Sequence, residues 1–375
     1  MRVALYTETF LPKVDGIVKV ACLTLEHFQR RGIETVIVAP EQGVREYAGA
    51  QVIGIPGIHN PLYPEGRVVF PNPGTYRRVR AFRPDIMHCF HPVMAGMAGI
   101  FFARRLRVPV ILSFHLDLAR MASFYRIGFM QHPARWATTR VFNLGDYALA
   151  PSRLVQSELQ RQGVRRVGLW RRGVDADQFH PRYRNADMRH FLSNGHTDDI
   201  VLLYVGRLAA EKQIEQLRPV LERVPGTRLA LVGGGPHQGE LERHFAGLPV
   251  KFAGYLTGEP LARAYASADV FVFPSAFESF GLVLLEAMAS GLPVVSSRVG
   301  GAQDLITEGI SGYTFAVNDV EALVCAVKQI VREPGRLRAM GIAARQHAER
   351  QSWPHMMDEL IDCYEAILSG QTPPI

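Results

Sequence analysis

Glu278 and Glu286 stand eight residues apart across a loop-to-helix junction, in the run Phe277, Glu278, Ser279, Phe280, Gly281, Leu282, Val283, Leu284, Leu285, Glu286. Upstream, residues 270–273 form a short apolar strand closed by Pro274. Downstream, 282–289 has helical spacing and stops at Gly291 and Pro293. Phe280, Gly281 and Leu282 are therefore expected to open a helix, with Glu278 just before its first turn and Glu286 two turns inside it. First-turn N–H groups have no intrahelical partner and carry the positive end of the helix dipole, so they suit a phosphate or a sugar hydroxyl. Two acids on such an element can grip both ends of a nucleotide sugar, one on the sugar hydroxyls and one on a ribose. The same pair also fits an ordinary helix-start acid beside a solvated surface acid, so the rest of the chain has to decide.

Further groups of matching chemistry follow other strands. Gly206, Arg207 and Lys212 come after an apolar strand at 200–204. Arg207 offers a planar fork and Lys212 a point charge for a diphosphate, although a charge pair with Glu211 would also explain Lys212. Gly233, Gly234 and Gly235 end the next strand and would permit close approach of a ligand to the backbone. In the first half, the turn from Pro12 through Lys13, Val14, Asp15 and Gly16 to Ile17 joins the first strand to the first helix. There Gly16 exposes backbone amides to a phosphate at a helix start. His115 follows the strand at 110–113, and Asp117 lies two residues on.

Positioning these groups requires strands with helices between them. Short apolar or β-branched runs at 3–6, 35–39, 52–55, 86–88, 110–113 and 147–150 alternate with helical patterns at 18–30, 93–105 and 154–161. The pattern restarts with strands at 200–204, 228–232, 250–252, 270–273 and 294–296. This alternation predicts an α/β chain with two parallel sheets covered by helices. The domains are read as 1–170, a polar, arginine-rich linker at 171–185, 186–352, and an amphipathic helix with a loose tail at 353–375. On that helix Met356, Leu360, Ile361, Tyr364 and Leu368 share the apolar face. Ligands bind beyond the carboxyl ends of strands in such sheets, so two sheets facing each other enclose a cleft, where the active site is expected.

A chain of 375 residues, 47% apolar and 21% charged, fits two globular domains. Cys22, Cys89, Cys325 and Cys363 show no paired spacing and read as reduced thiols in a cytosolic protein. No secretory signal is expected, because the chain opens directly on an apolar strand. The longest apolar stretch, 92–103, is too short to span a bilayer, which takes about 20 residues. Residues 1–185 hold 26 Lys and Arg against 13 Asp and Glu; residues 186–375 hold 16 against 22. The basic half gathers Arg77, Arg78, Arg80 and Arg83, then Arg104, Arg105 and Arg107, then Arg161, Arg165, Arg166, Arg171 and Arg172. Without interleaved aromatics or a nucleic-acid motif, these clusters point away from nucleic acid and toward an anionic membrane surface.

The whole chain resembles glycosyltransferase family 4, retaining enzymes of the GT-B fold with two Rossmann-like domains facing across a cleft. Within it the chain looks most like the bacterial and plant sulfoquinovosyltransferases, which move sulfoquinovose from a UDP donor to diacylglycerol. The matching stretches are TETFLPKVDGIV at 7–18, LWRRGVDADQFHP at 169–181, LLYVGRLAAEKQIEQLRPVLE at 202–222, LALVGGGPH at 229–237, FAGYLTG at 252–258 and GLVLLEAMASGLPVV at 281–295. The resemblance implies that Arg207 and Lys212 bind the donor diphosphate, Glu278 the sugar hydroxyls and Glu286 the ribose. Amides at Phe280, Gly281, Leu282 and Val283 would touch sugar and phosphate. The backbone near Tyr255 and Leu256 would read uracil, Gly16 would close over the diphosphate, and His115 would contact the sugar near its 6-position. Such enzymes stabilise the leaving group without an obvious protein nucleophile. The expectation is therefore no metal and no cofactor beyond the UDP-sugar as substrate, a lipid acceptor, and a peripheral place on the cytoplasmic face of a membrane. A sulfonate at the 6-position would need a cation, for which Lys13 is the nearest candidate. One departure stands out: the sulfoquinovosyltransferase pattern carries a second histidine where this chain reads Leu116 and Asp117. An inward Asp117 would repel a sulfonate, which keeps mannosyl or glucosyl transfer open. A UDP-sugar epimerase would need acid and base groups on both faces of the sugar, and only His115 offers itself. A non-catalytic nucleotide-sugar binder would use the same grip without turnover.

Overall fold

In the computed structural model the chain is described at residues 1–13, 16–60, 63–69, 72–115, 131–278 and 280–375. It divides into two compact units, Met1–Arg171 with Pro354–Ile375, and Arg172–Trp353. Both follow from the same local rule: runs of Val, Ile, Leu and Ala too apolar to face water on either side become central parallel strands, and amphipathic helices cover them.

The first unit runs β1 (Arg2–Thr7), α1 (Gly16–Arg30), β2 (Glu34–Pro40), β3 (Glu46–Tyr47), β4 (Ala50–Ile55), β5 (Gly57–Asn60), β6 (Tyr63–Val69), α2 (Pro73–Phe82), β7 (Ile86–Phe90), α3 (Ala95–Leu106), β8 (Val110–Ser113), α4 (Gln131–Phe142), β9 (Tyr147–Ala150), α5 (Arg153–Arg161) and β10 (Val167–Leu169). Its eight-stranded sheet has the order β10-β9-β8-β7-β1-β2-β4-β3, parallel except for the β3–β4 pair, and β5 and β6 form a separate antiparallel pair. With this strand order, the right-handed rule for parallel crossovers puts α1 on one face and α2, α3, α4 and α5 on the other. On the second face Tyr76 of α2 meets Phe102 of α3 edge-on at 5.1 Å, and Phe114 packs on Phe142 of α4. The helix α3 starts at Ala95, two residues later than its spacing suggests. The short strands β3, β5, β6 and β10 carry too few apolar residues to register as strands in the sequence.

The second unit runs α6 (Ala186–Leu192), β11 (Ile200–Val205), α7 (Arg218–Arg223), β12 (Thr227–Val232), α8 (Gln238–His244), β13 (Val250–Gly254), α9 (Gly258–Ser267), β14 (Val270–Phe273), α10 (Leu282–Ala289), β15 (Val294–Ser297), α11 (Ala302–Leu305), β16 (Gly312–Phe315), α12 (Val320–Val331) and α13 (Pro334–Glu349). All six strands are parallel, in the order β13-β12-β11-β14-β15-β16. Val174 and Phe179 lie in this unit's core, so the stretch read as a linker folds with the second unit.

The last helix, α14 (Trp353–Leu368), belongs with the first unit from Pro354 onward and lies beside α1. Phe28 meets Tyr364 edge-on at 5.9 Å, Asp358 accepts from His27 at 2.7 Å and from Arg31 at 2.9 Å, and Tyr364 bonds the buried His88 of β7 at 2.5 Å. The buried stripe is Met356, Met357, Leu360, Cys363 and Tyr364. Ile361 is only half-buried and Leu368 is exposed, which corrects the face expected from spacing. The tail is not loose either: the carbonyl of Ile375 accepts from the Tyr147 hydroxyl at 2.7 Å. The four cysteines are free thiols. Among the described residues no helix is long and apolar enough to cross a membrane.

Candidate active site

The strand order of the second unit reverses direction between β11 and β14. At such a switch point the loops leaving two neighbouring strands part in opposite directions and open a crevice beyond the strand ends. Those two loops carry Arg207, Lys212 and Glu278. Lys212 Nζ donates to Glu278 Oε2 at 3.0 Å and to the Phe277 carbonyl at 3.4 Å, and it sits 5.2 Å above the Phe273 ring. The loops are joined where the Ala276 N–H donates to the Glu211 carbonyl at 2.9 Å, and within the second loop the Ser275 hydroxyl donates to the Phe277 carbonyl at 2.6 Å. Glu211 does not pair with Lys212. It lies four residues after Arg207, whose guanidinium it takes at 2.5 Å, and Arg207 stays half exposed.

The helix α10 begins at Leu282, with Gly281 at its cap in the left-handed region (φ 97°) and Phe280 outside it. A β-carbon at Gly281 would fall 2.7 Å from Leu284 Cδ1, so this glycine is fixed by both backbone and packing. Leu282 and Val283 form the first turn, and Glu286 is the fifth helical residue, nearer the start than two turns. Buried Phe280 is held through its carbonyl, which accepts from the Gly301 N–H at 3.1 Å. At the other end of α10, Arg345 of α13 donates to the carbonyl of Ala289 and, at 3.1 Å, to that of Phe179. A cation there complements the helix dipole and braces the helix that carries Glu286. Glu286 is buried, and the hydroxyl of Tyr265 on α9 donates to its Oε2 at 3.1 Å.

The three glycines after β12 lie tightly against other parts of the chain. A β-carbon at Gly233 would meet the Gly206 carbonyl at 2.1 Å, one at Gly235 the Leu208 carbonyl at 2.3 Å, and one at Gly234 the Tyr255 ring at 2.6 Å. Gly233 and Gly235 thus allow the close approach of the loop that carries Arg207, and Gly234 that of the Tyr255 ring. The Leu208 N–H donates to the Gly234 carbonyl at 2.9 Å, and the Tyr204 hydroxyl to the Arg207 carbonyl at 3.0 Å. Tyr255 is 78% exposed beside half-buried Leu256.

In the first unit the corresponding switch point lies between β1 and β7. Glu8, which the sequence reading passed over, fills it: its carboxylate accepts from the N–H groups of Val93, Ala95 and Gly96 at 2.9–3.0 Å, capping α3. Burial pushes its pKa up, and these donors pull partly against that. An acid directly after the first strand of a doubly wound sheet was the available signal. Gly16 opens α1, and among the described residues nothing lies within 4 Å of where a β-carbon would stand; Lys13 is half-buried ahead of it. His115 follows β8 and lies against Phe90 (5.2 Å) and Trp170 (6.4 Å). His91 at the end of β7 is buried, which lowers its pKa to about 4. Asp117, Val14, Asp15 and Ser279 lie outside the described residues. Arg172 does not belong to the basic surface: it is buried, which pushes its pKa down to about 9. The other arginines of the first two clusters are exposed. Among the described residues no group of three or more His, Cys, Asp and Glu could hold a metal ion.

So Arg207, Lys212, Glu278, Phe280, Gly281, Leu282, Val283 and Glu286 are assembled on adjoining loops and one helix of the second unit, around a switch point. Two family descriptions match the chain: "Glycosyltransferase Family 4" over residues 14–178 and "Glycosyl transferases group 1" over 189–347. A sulfoquinovosyl transferase of Arabidopsis thaliana is 35% identical over 88% of this chain, which spans 66% of that protein's length. A GDP-mannose-dependent α-mannosyltransferase of Mycobacterium tuberculosis is 36% identical over 99% of this chain and 98% of its own. Among solved structures, HepE of Anabaena in complex with UDP superposes with a TM-score of 0.79 at 18% identity, covering 98% of this chain and 100% of that one. A sucrose-phosphate synthase of Thermosynechococcus elongatus gives 0.76 at 21% identity, covering 99% and 100%. The chain belongs to the family 4, group 1 glycosyltransferases, with the GT-B fold of two Rossmann-like units. It is a glycosyltransferase.

Proposed function

We propose that this enzyme is a retaining hexosyltransferase that moves sulfoquinovose from UDP-sulfoquinovose to diacylglycerol at the cytoplasmic face of a membrane. The observation that carries the donor half of this reading is the Lys212–Glu278 pair at 3.0 Å beside the start of α10, with Glu286 on the same helix. Lys212 and Arg207 offset the charge that gathers on the diphosphate as the sugar C–O bond breaks. Glu278 holds sugar hydroxyls and Glu286 the ribose. Amides from Phe280 to Val283 touch sugar and phosphate, and the backbone at Tyr255 and Leu256 takes the base. Gly16 serves the diphosphate, and His115 and Lys13 serve the sugar's 6-position, whereas Asp117 would act there only in a second reading, mannosyl transfer, by excluding a sulfonate. The acceptor hydroxyl forms the new C–O bond and its proton leaves with the diphosphate.

The membrane partner is supported by the outer surfaces of α2, α3 and α4. Together they carry seven exposed basic residues, Arg77, Arg78, Arg80, Arg104, Arg105, Arg135 and Arg140, and no acid. Phe101 is 59% exposed and Trp136 64%. Basic side chains around exposed apolar ones match an anionic leaflet. A second reading, mannosyl transfer from GDP-mannose to a lipid, is favoured by the full-length match to GDP-mannose-dependent relatives.

The test is incubation with UDP-sulfoquinovose, UDP-glucose and GDP-mannose in competition, with and without diacylglycerol, followed by mass spectrometry of lipids and nucleotides. Sulfoquinovosyl diacylglycerol as the main product is the expected result. Preference for GDP-mannose supports the second reading. An isomeric UDP-sugar formed without lipid would make the protein an epimerase, and no turnover a binder.

A further inference from the structure

Tyr265 plays no part in the sequence reading, yet it is fully buried on the last turn of α9 with its hydroxyl on the acid assigned to the ribose. Its ring is clamped: Phe179 meets it edge-on at 5.5 Å, and Phe271 of β14 lies 5.8 Å away. Phe271 stacks on Phe273 (6.2 Å, 16° between planes), and Phe273 stacks on Tyr204 and supports the Lys212 ammonium. A continuous aromatic column thus runs beneath the switch point from Glu286 to Lys212.

A carboxylate at the end of a glutamate turns easily about its last bond, because that torsion has broad, shallow wells. A donor fixed to one oxygen sets the plane of the group and the direction in which the other oxygen points. Tyr265 is such a donor. Burial, then the neighbouring Glu286 charge, push its pKa well above the usual 10, so its hydroxyl keeps its proton. A phenylalanine would fill the same space and spare the cost of burying a hydroxyl, so packing alone does not call for tyrosine.

We propose that Tyr265 is a positioning residue: its hydroxyl orients the Glu286 carboxylate toward the ribose hydroxyls of the donor and so sets nucleotide affinity. This rests on the reading of Glu286 as the ribose-binding acid. The test uses the full chain as wild type, Tyr265→Phe, Glu286→Gln and the double variant, with calorimetric binding of UDP, 2′-deoxy-UDP and 3′-deoxy-UDP. If GDP binds the wild type more tightly, the guanosine counterparts are used instead.

Tyr265→Phe is expected to raise the Kd for UDP about 10-fold, or about 1.4 kcal/mol. Its Kd for the deoxy analogue that the wild type disfavours should change less than about 2-fold, and kcat at saturating donor should hold. The double variant should bind no more weakly than Glu286→Gln. Equal weakening of ribo- and deoxynucleotide by Tyr265→Phe, or no weakening of either, would overturn the proposal for Tyr265 while leaving Glu286 untouched. Full ribose discrimination in Glu286→Gln would overturn the Glu286 reading itself, and the proposal with it. The two failures are therefore distinct.

Discussion

Removing the charge of Glu278 or Lys212 should separate catalysis from folding. In the folded protein the two groups sit 3.0 Å apart, with side chains 24% and 14% exposed. At an effective dielectric constant of about 20 the gross attraction at that distance is roughly 5 kcal/mol. Dehydration of both groups and the ordering of two long side chains offset most of it, leaving about 1 kcal/mol net. Glu278→Gln keeps the shape and one acceptor oxygen, and Lys212→Ala leaves the Ser275 and Ala276 stitching of the loops in place. Either variant should therefore lower the melting temperature of the second unit by only about 2–4 °C. Transfer should suffer far more: one lost transition-state donor or acceptor costs about 2.7–4 kcal/mol, or about 100- to 1,000-fold in kcat. The assay is glycolipid formation under saturating donor, with thermal unfolding of the same samples. Wild-type turnover by Glu278→Gln would refute the assigned role of the pair. So would a loss of activity matched by collapse of the fold.

Three further outcomes are expected. Gly16→Ala should leave stability unchanged or slightly improved, since no neighbour among the described residues and no positive φ requires glycine there; a fall in kcat/KM of about 10-fold or more would report a ligand against that backbone, and full activity would deny Gly16 its proposed role. Binding to anionic vesicles should weaken with salt and in the Arg77, Arg78, Arg80, Arg83→Ser variant; Trp136 is exposed whereas Trp170 and Trp353 are buried, so a blue shift of fluorescence reads its insertion, and equal binding to neutral vesicles at every salt concentration would count against the membrane reading. The Asp358 pKa is held below the usual 3.8 by the hydrogen bond from Arg31 and then by His27. A depressed carboxylate stabilises the fold above its unfolded pKa and loses that contribution as pH falls through the folded one. The stability gap between wild type and Asp358→Asn should therefore be steady near neutrality and close below about pH 4. A gap independent of pH down to pH 3 would exclude this role for the α14 anchor.

The sequence alone determined the long central strands of both sheets, because core strands of a parallel sheet are near-continuous apolar runs, but not the short strands β3, β5, β6, β10 and β16. It also determined that residues 281–295 carry the family's signature, and that Gly281 precedes a helix start. Partners in space were another matter. Arg207 rather than Lys212 takes Glu211, Gly233 and Gly235 accommodate backbone carbonyls, Arg172 is buried, and Ile361 and Leu368 lie off the buried stripe of α14. Each depends on which side chains other elements bring close, and one-dimensional spacing does not contain that. The same holds for the two residues missed. Glu8 matters because β1 and β7 are adjacent at a switch point though 78 residues separate Glu8 from Ile86, and Tyr265 matters because α9 and α10 pack across β14's flank. Local sequence fixes what each residue can do chemically. The order of strands in a sheet, set by long-range packing, decides which of them do it together.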